Sequence, residues 1–113
     1  MKTLFLGLFL SLSVFAKTVK VGMKDKASLY KFFPASVTIK AGDTVHWTND
    51  DNVMHTVTSM DLVDGLPKKN GLFDSHIVFP KGTFDHIFAE KGVFNYYCTI
   101  HSGMRMFGQI TVE

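Results

Sequence analysis

With a single cysteine in 113 residues, the chain cannot close an internal disulfide, the staple on which many small secreted domains rely. Net charge is also scarce. A formal +2, reduced by one if Lys2 is removed, gives bulk electrostatics no reason to favour nucleic acid or an anionic membrane surface. No helical period is sustained, and there are no internal repeats or low-complexity segments. Beyond the N-terminus no long apolar run appears, so no second membrane segment is expected.

The N-terminus itself, MKTLFLGLFLSLSVFA, places Lys2 before an apolar run and ends on Val14 and Ala16 at small-residue cleavage spacing. This pattern is that of a secretory signal peptide over residues 1–16. The run from Leu4 to Phe15 is well short of the about twenty residues that a spanning helix needs. The remainder, Lys17 to Glu113, suffices for one small domain and is too short for two. Export would deliver it to a periplasmic or extracellular compartment. There an odd thiol is an intermolecular bridge, a reactive group or a metal ligand, and metal ligation largely removes the hazard of the other two.

What the chain does contain is a series of short β-branched and aromatic runs separated by turn residues. TVKVGM (residues 18–23), SVTIK (36–40), TVHWTN (44–49) and HTVTS (55–59) read as strands. Met60 to Phe73, with Gly65, Pro67, Lys68, Lys69, Asn70 and Gly71, reads as a surface loop with room for one irregular helical turn. Strand signals resume in FDSHIVF (73–79), turn at Pro80 to Gly82, and continue in TFDHIF (83–88), VFNYYC (93–98) and GQITVE (108–113). Seven to eight short strands predict an all-β fold, an antiparallel sandwich or barrel. Trp47, Phe73, Phe79, Phe84, Phe88 and Phe94 are the expected aromatic core, large enough to dispense with a disulfide. Alternation puts Val45 and Trp47 on one face of their strand and His46 with Thr44 and Thr48 on the other.

The chemistry concentrates in YYCTIHSGMRM, residues 96–106. Cys98 offers a thiolate, His101 an imidazole, Met104 and Met106 thioethers, and His55 stands after the turn-prone Asn49 to Asn52. Soft sulfur with imidazole nitrogen favours copper. Structural zinc sites usually pair cysteines at short spacing, and no second cysteine exists. Cys98 and Gly108 bracket a short loop on which such ligands can converge.

GVFNYYCTIH and TVHWTNDDNVMHTVTS together make the chain from Thr18 onward resemble the cupredoxins, the type 1 blue-copper family, most closely the plastocyanin and amicyanin group. The resemblance implies a Greek-key β-sandwich that holds one copper ion through His55, Cys98 and His101, with a methionine sulfur as weak axial ligand. Met104 gives the amicyanin-like spacing C-x2-H-x2-M; Met106 gives the plastocyanin-like C-x2-H-x4-M and opens the M-x-G before the last strand, which favours Met106. Two positions depart from plastocyanin. Thr56 replaces the asparagine after the first histidine, and Ile100 replaces the proline before the second.

The resemblance further implies single-electron shuttling by a monomer that meets redox protein partners briefly, with His101 as the electron exit within an apolar patch of Ile100, Met104 and Phe107. Copper delivery is the alternative function, since exposed methionines would favour Cu(I). A Cys/His nucleophile is disfavoured because no oxyanion motif accompanies the pair, so no enzyme activity is expected. His46, His76 and His86 read as structural or surface residues, Met23, Met54 and Met60 as gap fillers, and Asp50, Asp51, Asp61 and Asp64 as a solvated loop or an acidic docking patch.

Overall fold

The computed structural model describes residues 15–26 and 29–113; apart from its last two residues, the expected leader lies outside them. Among the described residues the strands are β1 (Thr18–Lys26), β2 (Leu29–Phe33), β3 (Ser36–Ile39), β4 (Thr44–Asn49), β5 (Thr58–Val63), β6 (Leu66–Asp74), β7 (Thr83–Ile87), β8 (Gly92–Tyr97) and β9 (Phe107–Val112). One sheet runs β2-β1-β4-β7 and the other β3-β9-β8-β5-β6. The expected all-β sandwich is therefore present, with one qualification. Both sheets are mixed rather than purely antiparallel, because β1 pairs parallel with β4, and β3 with β9. In each case the intervening chain crosses to the other sheet before returning, so the two strands enter from the same end.

Alternation on β4 builds the centre of the core. Val45, Trp47 and Asn49 face inward, while Thr44, His46 and Thr48 face outward, as the period of two requires. The Trp47 ring meets Tyr96 at 5.3 Å, Phe84 at 5.7 Å, Phe73 at 6.0 Å and Phe88 at 6.4 Å. Each fully buried aromatic of this kind contributes up to about 3 kcal/mol. Outward-facing His46 contacts Asp85 on β7. His86 packs half-buried at 4.7 Å from both Phe73 and Phe88, and burial lowers its pKa.

Several expectations do not hold. Met60 to Phe73 is not a loop: it contains most of the β5–β6 hairpin, turned at Asp64 and Gly65, both at positive φ (53° and 77°). An Asp-Gly pair suits such a turn, but the lysines beyond it hid the strand. Strand β2 carries no expected counterpart, although Phe32 is buried in the core. HTVTS and FDSHIVF are largely irregular: His55 and Val78 form an isolated bridge, and the ladder of β5 begins at Thr58. Without a continuous ladder, strand parity fails. Phe79 is 63% exposed, whereas Phe32 and Tyr96 are buried in the core. Met23 and Met60 fill the interior as expected, but Met54 lies exposed.

Strand β8 delivers the chain to Cys98, and its register with β9 sets Tyr96 opposite Gly108. A Cβ built on Gly108 would lie 2.1 Å from Tyr96 Cζ, and Tyr96 cannot retreat, being wedged against Phe32 at 4.6 Å and Trp47. Overpacking of this kind costs about 1–3 kcal/mol. Gly108→Ala is expected to lose stability at the upper end of that range in denaturant titration, and an unchanged midpoint would contradict this account of the packing.

Candidate metal centre

The loop before His55 is organised by a buried asparagine. Asn49, inward-facing at the end of β4, donates through Nδ2 to the carbonyls of Val53 (2.8 Å) and Val78 (3.0 Å), and its Oδ1 accepts the Asp51 N–H at 2.9 Å. These bonds pull Asp50 to Met54 into a tight excursion. His55 is then fixed from both sides, by reciprocal backbone bonds with Val78 and by Asp51 Oδ2 at 3.1 Å from Nε2. Neither Asn49 nor Asp51 was picked out from sequence as a support, though the inward parity of Asn49 after Trp47 was the available signal.

The second loop leaves β8 at Cys98. Its N–H donates to the Met106 carbonyl at 3.0 Å, which closes the loop at its base, and the His101 N–H donates to the Cys98 carbonyl at 3.2 Å. A short 3-10 turn over Ser102–Met104 follows, and Arg105, at φ 55°, reverses the chain. That reversal separates the two methionines. Met106 enters the core at 1% exposure, in the same buried cluster as Cys98, while Met104 is 39% exposed.

Together the loops bring donor atoms of His55, Cys98 and His101 within 4.8 Å of one another. Cys98 Sγ lies 3.3 Å from His101 Nδ1 and 3.8 Å from His55 Nδ1. His55 and Cys98 are fully buried and His101 is half-buried. Tyr30 of β2 packs its ring against both imidazoles, at 5.4 Å from His55 and 4.3 Å from His101.

Electrostatics prepare the sulfur. Burial pushes the Cys98 thiol up, but its hydrogen bonds with His55 and from the backbone N–H groups of Thr56, His101 and Ile100 outweigh this and lower it overall. Burial likewise opposes charge on His55, yet Cys98 and Asp51 overcome it and raise the imidazole above its ordinary value. His101 moves the other way, lowered by burial and by the neighbouring His55. A buried thiolate favoured by its surroundings, two imidazoles and a buried thioether nearby form a soft donor set suited to copper rather than to a hard cation.

The sequence profile of copper-binding proteins of the plastocyanin/azurin family matches residues 17–113. The chain belongs to that family. A plastocyanin from Synechococcus sp. (strain JA-2-3B'a(2-13)) is 39% identical over 112 residues, covering 93% of this chain and 80% of its own. A chloroplastic plastocyanin from Tetradesmus obliquus is 34% identical over 109 residues, covering 95% and 74%. Among solved structures, a purple cupredoxin from Nitrosopumilus maritimus aligns with a TM-score of 0.72 at 34% identity, over 84% of this chain and 99% of that one. As a member of this family the chain is a copper-binding electron carrier and not an enzyme.

The departure at Thr56 has a structural answer. Thr56 Oγ1 accepts the Thr99 N–H at 2.9 Å and lies 3.1 Å from Thr58 Oγ1 and 3.2 Å from Thr99 Oγ1, while the Thr56 N–H donates to Cys98 Sγ at 3.4 Å. A threonine thus ties the two loops together. Removing a hydroxyl that serves a part-buried N–H costs about 1–3 kcal/mol, so Thr56→Val should destabilise the protein within that range, while Thr56→Ser, which keeps the hydroxyl, should retain most of the stability. Equal midpoints for the Val and Ser variants in thermal unfolding would show that the hydroxyl ties nothing.

Proposed function

We propose that His55, Cys98 and His101 hold the copper, that Met106 supplies the weak axial sulfur, and that the protein works as an exported monomer handing electrons singly to and from protein partners. The observation that carries this reading is the convergence of one thiolate and two imidazoles at a buried point where two loops meet. Burial supports Met106 over Met104, because an exposed thioether on the far side of the Arg105 reversal faces solvent instead of the cluster.

When bound, copper supplies a Cu(I)/Cu(II) couple that takes up and releases one electron. The protein's part is to hold the donors still. Asp51 fixes the proton of His55 on Nε2 and leaves Nδ1 facing Cys98, an orientation typical of metal-binding histidines. The Thr56 N–H and the neighbouring donors lower the Cys98 pKa and so favour the thiolate form that would coordinate. The Met106 carbonyl, bonded to the Cys98 N–H, locks the loop's closing residue against its opening one. A frame held at so many points limits rearrangement as charge changes.

His101 is the exit. It is the most exposed of the three donors, and exposed Ile100 and Met104 flank it in sequence, so a partner need only touch this edge in a brief contact. Burial of His55, Cys98 and Met106 supports retention of the ion over its delivery. Among the described residues no helix is long and apolar enough to cross a membrane, and export rests on the leader-like residues 1–16.

Two substitutions test the assignment. Cys98→Ala should abolish the intense visible absorption of the oxidised, copper-loaded protein, and a surviving band would refute thiolate ligation. Met106→Leu should raise the reduction potential, because a donor that favours Cu(II) is lost and the site becomes drier. Met104→Leu should shift it less in voltammetry; the reverse order would move the axial role to Met104.

A further inference from the structure

The surface beside His101 carries an unbalanced charge. A groove of about 230 Å³ opens there, lined among others by Leu29, Tyr30, Lys31, Met104, Arg105 and Phe107. Tyr30 links it to the proposed exit, since its ring lies 4.3 Å from that of His101. Two cations border the groove and, among the described residues, no carboxylate does. Among the described residues neither Lys31 nor Arg105 has an ion-pair partner; Arg105 rests its guanidinium 4.7 Å over the Phe107 ring, which fixes the charge in place.

A second observation adds to the first. Lys24 of β1 stands directly opposite Lys31 in the β1–β2 register, and both are exposed. Like charges facing across two strands are destabilising. Asp50, over Gly22, lines a neighbouring hollow together with Lys24, so the Lys24 side of the pair has a carboxylate near it and the Lys31 side, at the groove, does not among the described residues. At the groove, Lys31 and Arg105 are left as the cations that negative charge arriving from outside would meet.

We propose that the redox partner is an acidic protein, which docks carboxylates against Lys31 and Arg105 while its apolar centre covers Leu29 and Met104. This rests on the electron-transfer reading and on His101 as its exit. The chain's small net charge does not produce such a preference; the local field at the groove does. Electrostatic steering of this kind raises association rates by about ten-fold to a thousand-fold and fades as salt screens it.

The test uses two probes of one fold: a basic mitochondrial cytochrome c and the same cytochrome with its lysines succinylated, which makes it acidic. Second-order rate constants for electron exchange with the copper-loaded protein are measured by stopped flow. Ionic strength is set at about 0.01 M and about 1 M, between which the screening length falls from about 30 Å to about 3 Å. The double variant Lys31→Glu/Arg105→Glu should slow the succinylated probe at least about tenfold at low salt and speed the basic one, with both effects collapsing at high salt. The far-end pair Lys40→Glu/Lys91→Glu changes net charge equally and should leave both rates within about twofold. If the reversed groove fails to fold, Lys31→Gln/Arg105→Gln should give a smaller effect in the same direction.

An equal response in the far-end variant would reduce the effect to net charge and overturn the proposal. So would an unchanged succinylated rate in the groove variants, or sedimentation showing a dimer that those variants abolish, which would give the groove to a second copy. Absence of a reversible couple in the unaltered copper-loaded protein would instead sink the electron-transfer reading, and the proposal with it. A normal couple with rates indifferent to the groove sinks the proposal alone.

Discussion

A buried thiol can favour its anion only with several partners at once, and meeting that need shapes one whole end of this molecule. Cys98 is fully buried, and burial by itself would keep its proton on. The opposing groups, the imidazole of His55 and the backbone N–H groups of Thr56, His101 and Ile100, come from two connections more than forty positions apart in the chain. They meet only if two sheets hold both connections at the same end. Asn49 shaping the first loop, and Thr56 clasping Thr99 across the second, are consequences of that requirement.

Rigidity here comes from packing, since no disulfide is available. Trp47 sits among Phe73, Phe84, Phe88 and Tyr96, drawn from both sheets, and Tyr96 in turn fills the space that Gly108 leaves open. Tyr96 lies two residues before Cys98, and Gly108 two residues after Met106. The aromatic core therefore grips the loop that carries Cys98 and Met106 at both of its roots, which makes core packing and site geometry one problem.

Sequence made some of this visible and concealed the rest for identifiable reasons. The C-x2-H spacing at Cys98 and His101, and the alternation around Trp47, depend on local periodicity and were legible. The β5–β6 hairpin was not, because β6 is an edge strand whose side chains are mostly exposed and whose Lys68, Lys69 and Asn70 look like a loop. Phe79 misled because it follows Val78, whose bridge to His55 stands alone and carries no parity onward. The choice between Met104 and Met106 could be ranked by counting residues, but the left-handed turn at Arg105, which buries one and exposes the other, is a property of the folded loop.

The two histidines of the cluster are held unequally, and the inequality bears on direction. His55 is buried, bonded through the backbone to Val78 and through Nε2 to a carboxylate. His101 is half-exposed, and its ring leans on Tyr30, the residue next to Lys31. The anchored imidazole faces the interior, where no partner can reach it. The other reaches the surface, beside the groove that Lys31 and Arg105 border. A carrier must keep its cofactor and still expose a way to it, and on the proposed assignment the two histidines divide those tasks, the firm one holding and the accessible one conducting.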